Sequence, residues 1–247
     1  MGTDDHILTL AGIFRCVEPG AASAFINQLH HCEFRAGQTI FVQGEPGDRV
    51  YVVVAGKVKI GLRGPGDREN LRAIMGPTDV FGELAVFDRG PRTCTATAIT
   101  DVRAAWLDRA TLRAWMAQQP VIAERLLQAL SRRLRDTEDE LVELVFSDVA
   151  ARVAHQLLLL ARRFGTREGG ALRVTHELSQ DEMAQLVAAD RASVNKSLRN
   201  FTCRGWILVE GKSVLIVDPA ALAGRAAASA EPGGCQSRRR RPLRATA

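Results

Sequence analysis

The chain has 247 residues, enough for one large domain or two ordinary ones, and 46% of them are hydrophobic, enough to fill a real core. Aromatic residues make up only 5%, so the expected core is mostly Val, Leu, Ile and Ala. The net charge of +5 sits in residues 225–247, which hold six Arg and one Glu, while residues 1–224 balance at 27 bases and 27 acids; any nucleic-acid binding must rest on local placement, not on total charge. Five scattered cysteines (Cys16, Cys32, Cys94, Cys203 and Cys235) form no CxxC pair. That excludes a zinc site or disulfide framework and reads as a reduced cytosolic protein.

The first segment, "MGTDDHILTLAG", has acids where a secretion signal needs bases, and no apolar run reaches membrane-spanning length. Neither a signal peptide nor a membrane partner is expected. Residues 33–107 read as all-β. Short β-branched runs are separated by turns at Gly44-Glu-Pro-Gly47, Ala55-Gly56 and Gly64-Pro-Gly66, which suits a small barrel or jelly roll. "CTATAITDVRAAWL" continues as a further strand pair.

From Pro120 the period changes. Leu127, Leu130, Leu134, Thr137, Leu141 and Leu144 follow an a/d heptad on one long helix, with charged residues on the other faces. A helix packed on its own domain is one reading. The narrow stripe with charged flanks favours a helix that pairs with a second copy of the chain. Thr137 is a polar member of that seam; such a residue lowers stability and suggests a second task.

Residues 148–224 form another unit. "DVAARVAHQLLLLARRFG" is an amphipathic helix ending near Gly165, and "GTREGG" is a loop. A short helix then runs from Ser179 to about Val187, with Ser179 and Glu182 as a capping box. Ala188-Ala189 is a turn, and Asp190 caps a second helix from Arg191 to about Phe201. "LVEGKSVLIV" supplies two strands around a turn, completing a winged helix-turn-helix pattern. Residues 225–247, rich in Ala, Gly and Arg, cannot bury enough apolar surface to fold and read as a disordered basic tail.

Two segments carry chemistry. Across the two short helices, Met183, Ala184, Val187, Val194 and Leu198 face inward and hold the motif against its domain. Arg191, Ala192, Ser193, Asn195, Lys196 and Arg199 remain outward, with Ser179 and Gln180 at the start of the preceding helix. Donors at a helix start suit the major groove of double-stranded DNA, where Arg pairs bidentately with guanine. A merely solvated helix face is the alternative; the wing and the paired helix weigh against it.

The other is "FGELAVFDRGPRTCTATA", residues 81–98. Here Glu83 and Arg92 stand nine positions apart among Gly82, Gly90 and Pro91. An internal Glu83–Arg92 ion pair is one account. The other is a ligand: Gly82 permits close backbone approach, Arg92 with the Thr93 hydroxyl suits a phosphate, and Glu83 accepts from a sugar hydroxyl. The set describes a ribose phosphate lying along one loop.

This stretch resembles the phosphate-binding cassette of cyclic-nucleotide-binding domains. With the long helix and the winged unit, the chain resembles the bacterial cyclic AMP receptor protein family of transcription regulators. "FRAGQTIFVQGEPGDR", "RGPRT", "RFGTREGGALRVTHELSQ" and "RGWI" are similar to its actinobacterial branch. The resemblance implies an α+β chain: a nucleotide-binding β-roll (1–119), a dimerisation helix (120–147), a winged helix-turn-helix (148–224) and the tail. It implies cyclic AMP as allosteric ligand without a metal, a homodimer on DNA, and contact with RNA polymerase, with the loop 165–170 as a candidate surface. Gly82, Glu83 and Leu84 would take the ribose side, and Arg92 and Thr93 the cyclic phosphate. Arg133 would stand near the ligand, and Thr137 would meet the adenine amino group. Arg191, Ala192 and Lys196 occupy the base-reading positions.

Three residues depart from the family pattern: Glu138 beside Thr137, Ala192 where Glu is common, and Ala188 where Gly is usual. Glu138 leaves open a ligand-independent regulator and Ala192 a relaxed operator, while Thr93 could serve cyclic GMP as well as cyclic AMP. A metal-dependent jelly-roll enzyme is disfavoured because His6, His30, His31, His155 and His176 form no cluster within the β region. His30-His31-Cys32 is tempting as a heme or metal cluster, but a helix end beside the barrel is the better account. An iron–sulfur sensor needs closely spaced cysteines, which the sequence lacks.

Overall fold

The computed structural model describes residues 4, 7, 19–64 and 69–228. The "MGTDDHILTLAG" segment other than residues 4 and 7, Cys16, the tip of the Gly64-Pro-Gly66 turn, and residues 229–247 lie outside them.

After α1 (Pro19–Ile26) the chain enters two antiparallel four-stranded sheets. One has the order β1 (His30–Phe34), β8 (Val102–Asp108), β3 (Arg49–Ala55), β6 (Val80–Phe81). The other has β2 (Thr39–Phe41), β7 (Thr95–Ala98), β4 (Val58–Arg63), β5 (Glu69–Met75). Alternation in β3 is lost, with Val50 to Val54 all buried, because side chains on both of its faces meet apolar layers. The expected pairing of β7 with β8 does not occur. β7 pairs with β2 and β4, whereas β8 pairs with β1 and β3. These two consecutive strands thus belong to different sheets, as in a jelly roll. His30-His31-Cys32 is not a helix end but part of β1. His30 stacks on Trp106 with ring centroids 4.4 Å apart, and Cys32 donates to the Ala104 carbonyl at 3.5 Å.

α2 (Leu84–Phe87) is a single turn between β6 and β7, and α3 (Arg109–Gln118) follows β8, capped by Asp108 accepting from the Thr111 amide. Pro120 then starts the 27-residue helix α4 (Pro120–Phe146), a position where its missing N–H is harmless. The first turns of α4 pack on the roll through Ile122 and Leu126, joining Phe25, Trp115 and Val52 in one cluster.

Asp148 caps α5 (Val149–Phe164), accepting from the Ala151 amide at 2.8 Å. "GTRE" is not loop: it forms β9 (Gly165–Glu168), paired with β10 (Ala171–Thr175), so only Gly169 and Gly170 turn, both at positive φ. α6 (Gln180–Leu186) and α7 (Arg191–Cys203) form the helix-turn-helix, and β11 (Ile207–Glu210) and β12 (Ser213–Ile216) form the wing, in a sheet ordered β11-β12-β10-β9. α8 (Pro219–Ala227) closes the unit. It carries helix past the expected start of the tail, because Asp218 caps it and Arg225 reaches the Asp148 carboxylate at 2.5 Å.

The winged unit packs against the outer sheet of the roll. Leu71 and Ile74 of β5 join its core beside Leu157, Met183 and Val187. Gln185 accepts from the Leu71 amide at 3.2 Å, Lys59 meets Glu182 at 2.9 Å, Lys57 donates to the Thr175 carbonyl, and Arg163 pairs with Asp79. Burial and the nearby Lys57 charge push the His176 imidazole down to about 4, so it is neutral and accepts from the Leu178 amide at 3.0 Å.

Candidate functional site

Gly82 leaves β6 at φ +80, a left-handed conformation that glycine tolerates. A Cβ there would stand 2.7 Å from Arg92 Nη1, so a side chain at this position would displace the guanidinium as well as strain the backbone. Arg92 Nη1 instead donates to the Gly82 carbonyl at 2.7 Å. The Arg92 guanidinium lies 4.2 Å over the Phe41 ring and is only 5% exposed. Burial pulls its pKa below the usual value, and its Nε has no hydrogen-bond partner among the described residues. A desolvated cation with a donor to spare calls for an anion.

The structure does not form the Glu83–Arg92 ion pair that the sequence left open. Glu83, 4% exposed, instead accepts from Arg133 Nη1 of α4 at 2.5 Å. The two charges of the cassette are thus held separately, and the Arg92 charge is uncompensated by a carboxylate bond. Leu84 is 42% exposed, and Thr93 is exposed beside buried Arg92. One turn beyond Arg133, the Thr137 hydroxyl donates to the Arg133 carbonyl at 2.8 Å and accepts from Arg72 Nη2 at 2.6 Å. Gly82, Glu83, Arg92 and Arg133 therefore share one site, and Thr137 borders it through Arg133.

Sequence reasoning missed three contributors. Gly47 was read only as a turn, yet a Cβ there would lie 2.5 Å from Ala85 Cβ and 2.8 Å from Arg92 Nε. Phe41 supplies the ring under Arg92. Arg72 stands among apolar residues on β5; a charged residue between Leu71 and Ala73 was the available signal.

The second site is the outer face of α6 and α7. Ser179 and Glu182 make both bonds of the capping box, so the Ser179 hydroxyl is committed to the Glu182 amide at 3.1 Å. Asp190 caps α7 through the Ser193 amide at 2.8 Å. Met183, Ala184, Val187 and Val194 are buried, and Leu198 packs at the edge. Arg191, Ala192, Lys196 and Arg199 are exposed, while Ser193 and Asn195 are half-buried. Gln180 Oε1 accepts from Arg191 Nη2 at 3.0 Å and from Asn195 at 3.2 Å, pre-orienting the arginine. An open groove of about 530 Å³ runs along this face, lined in part by Gln180, Arg191, Asn195 and Arg199.

Ala188 is left-handed at φ +49, so the turn is strained for a residue with a Cβ. Arg152 of α5 holds it, donating to the carbonyls of Val187 at 3.0 Å, Ala188 at 3.2 Å and Ser147 at 2.8 Å. Among the described residues, no group of His, Cys, Asp and Glu is placed to hold a metal, and no helix is long and apolar enough to cross a membrane.

The family described as "Cyclic nucleotide-binding domain" matches residues 31–119, and the "Crp-like helix-turn-helix domain" matches residues 151–225. A protein of Mycobacterium tuberculosis (strain CDC 1551 / Oshkosh), named as a CRP-like cAMP-activated global transcriptional regulator, is 60% identical over 222 residues, covering 90% of this chain and 99% of the relative. The cyclic AMP receptor protein of Thermus thermophilus is 30% identical over 210 residues, covering 85% and 94%. The solved structure of FixK2 from Bradyrhizobium japonicum shares the fold, with a TM-score of 0.73 at 24% identity over 82% of this chain and 99% of that one. The chain belongs to the cyclic AMP receptor protein family of bacterial transcription regulators, in its actinobacterial branch.

Proposed function

We propose that this protein is a cyclic AMP-responsive, sequence-specific DNA-binding regulator that acts as a homodimer in the cytoplasm, not an enzyme. One observation carries the reading: the buried Arg92 guanidinium with its unpartnered Nε, beside the buried Glu83 carboxylate. The cyclic phosphate takes Arg92 and the Thr93 hydroxyl. Glu83 accepts from the ribose 2′-hydroxyl, with Gly82 and Leu84 alongside. The base then extends towards α4, past Arg133 to Thr137. The activity in the name of the Mycobacterium tuberculosis relative agrees with this assignment.

The exposed stripe on α4 supports pairing with a second copy. Leu127, Leu134, Leu141 and Leu144 are between 45% and 64% exposed, Phe146 falls in the same range, and Val145 is more open still at 73%. An apolar row of this kind on a helix is stable in water only when covered. Arg191, Ala192 and Lys196 read bases in the major groove; Ser179, Gln180, Ser193, Asn195 and Arg199 position the helix or contact phosphates. The unit after Ser147 turns as a body about the Asp148 cap. Ligand at Glu83 and Thr137 acts on α4 packing and on β5, which touches α6. RNA polymerase is the proposed partner in activation, through the exposed β9 turn at Gly169-Gly170.

The test is a titration of specific and random duplexes with the purified protein at fixed salt, with and without cyclic AMP and cyclic GMP. Cyclic AMP should raise affinity for the specific duplex by about tenfold or more, a coupling of ~1.4 kcal/mol. Equal affinity for both duplexes under every condition removes the reading.

A further inference from the structure

Arg72 reaches the nucleotide site from outside the cassette, through one of its bordering residues. It projects from β5 and donates from Nη2 to the Thr137 hydroxyl at 2.6 Å, with Glu140 Oε2 3.9 Å from the same nitrogen. The Thr137 hydrogen is committed to the Arg133 carbonyl, so this oxygen has only acceptor capacity to offer, and Arg72 already draws on it. Glu83 binds Arg133, and Thr137 is one helical turn, about 5.4 Å, further along the same face. A base attached to a ribose at Glu83 therefore meets Thr137 and Arg72 together.

We propose that Arg72 is a specificity-determining residue of the nucleotide site, narrowing its preference for a 6-aminopurine such as adenine by admitting a 6-oxopurine such as guanine. The inference rests on the nucleotide reading of the cassette. A 6-amino group is a donor. To reach the Thr137 oxygen it must displace the guanidinium or share the oxygen with it, placing two donor edges side by side. A 6-oxo group and the neighbouring N7 are both acceptors, and they match the guanidinium fork bidentately. Bonded to the purine, Arg72 would release Thr137 and keep its charge compensated by Glu140. The site thus differs from one in which a threonine alone meets the base edge: cyclic GMP competes with cyclic AMP here.

The experiment is competition of cyclic AMP and cyclic GMP for the full-length protein and for Arg72→Leu, followed by calorimetry or displacement of a fluorescent cyclic nucleotide. The ratio of cyclic AMP to cyclic GMP affinity should rise about tenfold in Arg72→Leu, equivalent to ~1.4 kcal/mol, with most of the change in cyclic GMP. Arg72→Lys keeps the charge but lacks the planar fork, so it should raise the ratio by a smaller factor; it decides the matter if the leucine variant does not fold. An unchanged or reduced ratio, with both nucleotides still binding, overturns the role of Arg72 and leaves the cassette reading intact. Cyclic GMP that fails to compete with the unaltered protein also overturns it. If neither nucleotide binds the unaltered protein, the nucleotide reading itself falls and takes the proposal with it.

Discussion

The two sites of this chain handle positive charge in opposite ways. In the cassette, Arg92 is 5% exposed, aimed by the Gly82 carbonyl and backed by the Phe41 ring. On α7, Arg191, Lys196 and Arg199 stand in solvent, and Arg191 is steadied by Gln180. The first arrangement incurs its desolvation during folding, so on the proposed assignment a small anion would meet a finished pocket whose interactions are strong because water is excluded. The second leaves the charges hydrated, and on the proposed assignment it would gain affinity by counterion release from a polyanion, which is salt-dependent. A buried cation recognises one compact ligand; an exposed row of cations recognises a surface.

The largest effect expected from breaking this contrast is at Arg92. Arg92→Leu should weaken nucleotide binding by about a hundredfold or more, ~3 kcal/mol, because a charge-assisted bond in a water-excluded site is lost. Calorimetry with cyclic AMP reads it directly, and circular dichroism should show the fold retained; unchanged affinity would mean that the buried guanidinium only supports the loop.

Arg191→Ala comes next. It should cost about 1–3 kcal/mol of discrimination between specific and random duplexes, with random-sequence affinity much less affected. Gel shifts on both duplexes at two salt concentrations measure it. If both duplexes weaken equally, Arg191 binds phosphate and the two sites differ less than their exposure suggests.

The smallest effect sharpens the comparison from the backbone side. Gly82 and Ala188 both occupy left-handed positions, but only the cassette has glycine there. Ala188→Gly should raise the stability of the protein by about 1 kcal/mol or somewhat less, since relief of the Cβ strain is offset in part by a more flexible unfolded chain. Thermal or urea unfolding checks it; a lowered midpoint would show that the Arg152 bonds already relax this turn.

Legibility in the sequence followed the range of the forces involved. The capping box at Ser179 and Glu182, the Asp190 cap and the α4 start at Pro120 were readable because each is a contact within one turn of chain. The inward set of the helix-turn-helix was readable from period alone. β9 was not: "GTRE" has little β-branched content, and it is a strand only because β10 offers it a ladder. The separation of β7 from β8 was hidden for the same reason, since sheet membership depends on partners tens of residues away.

The candidate site divides along the same line. Glycine, carboxylate, arginine and threonine in "FGELAVFDRGPRT" suggest a ribose phosphate from the sequence, because such a ligand calls for those residue types within one loop. Which carboxylate would meet which guanidinium was decided only in three dimensions. Arg133 comes from 50 residues away to take Glu83, and Arg72 from another strand takes Thr137. Sequence by itself determined the period, the caps and the chemical alphabet of each site, all of which act over one or two turns. Tertiary structure alone decided the charge pairings and the buried state of Arg92, because desolvation depends on every segment that packs around a group and on no single stretch of chain.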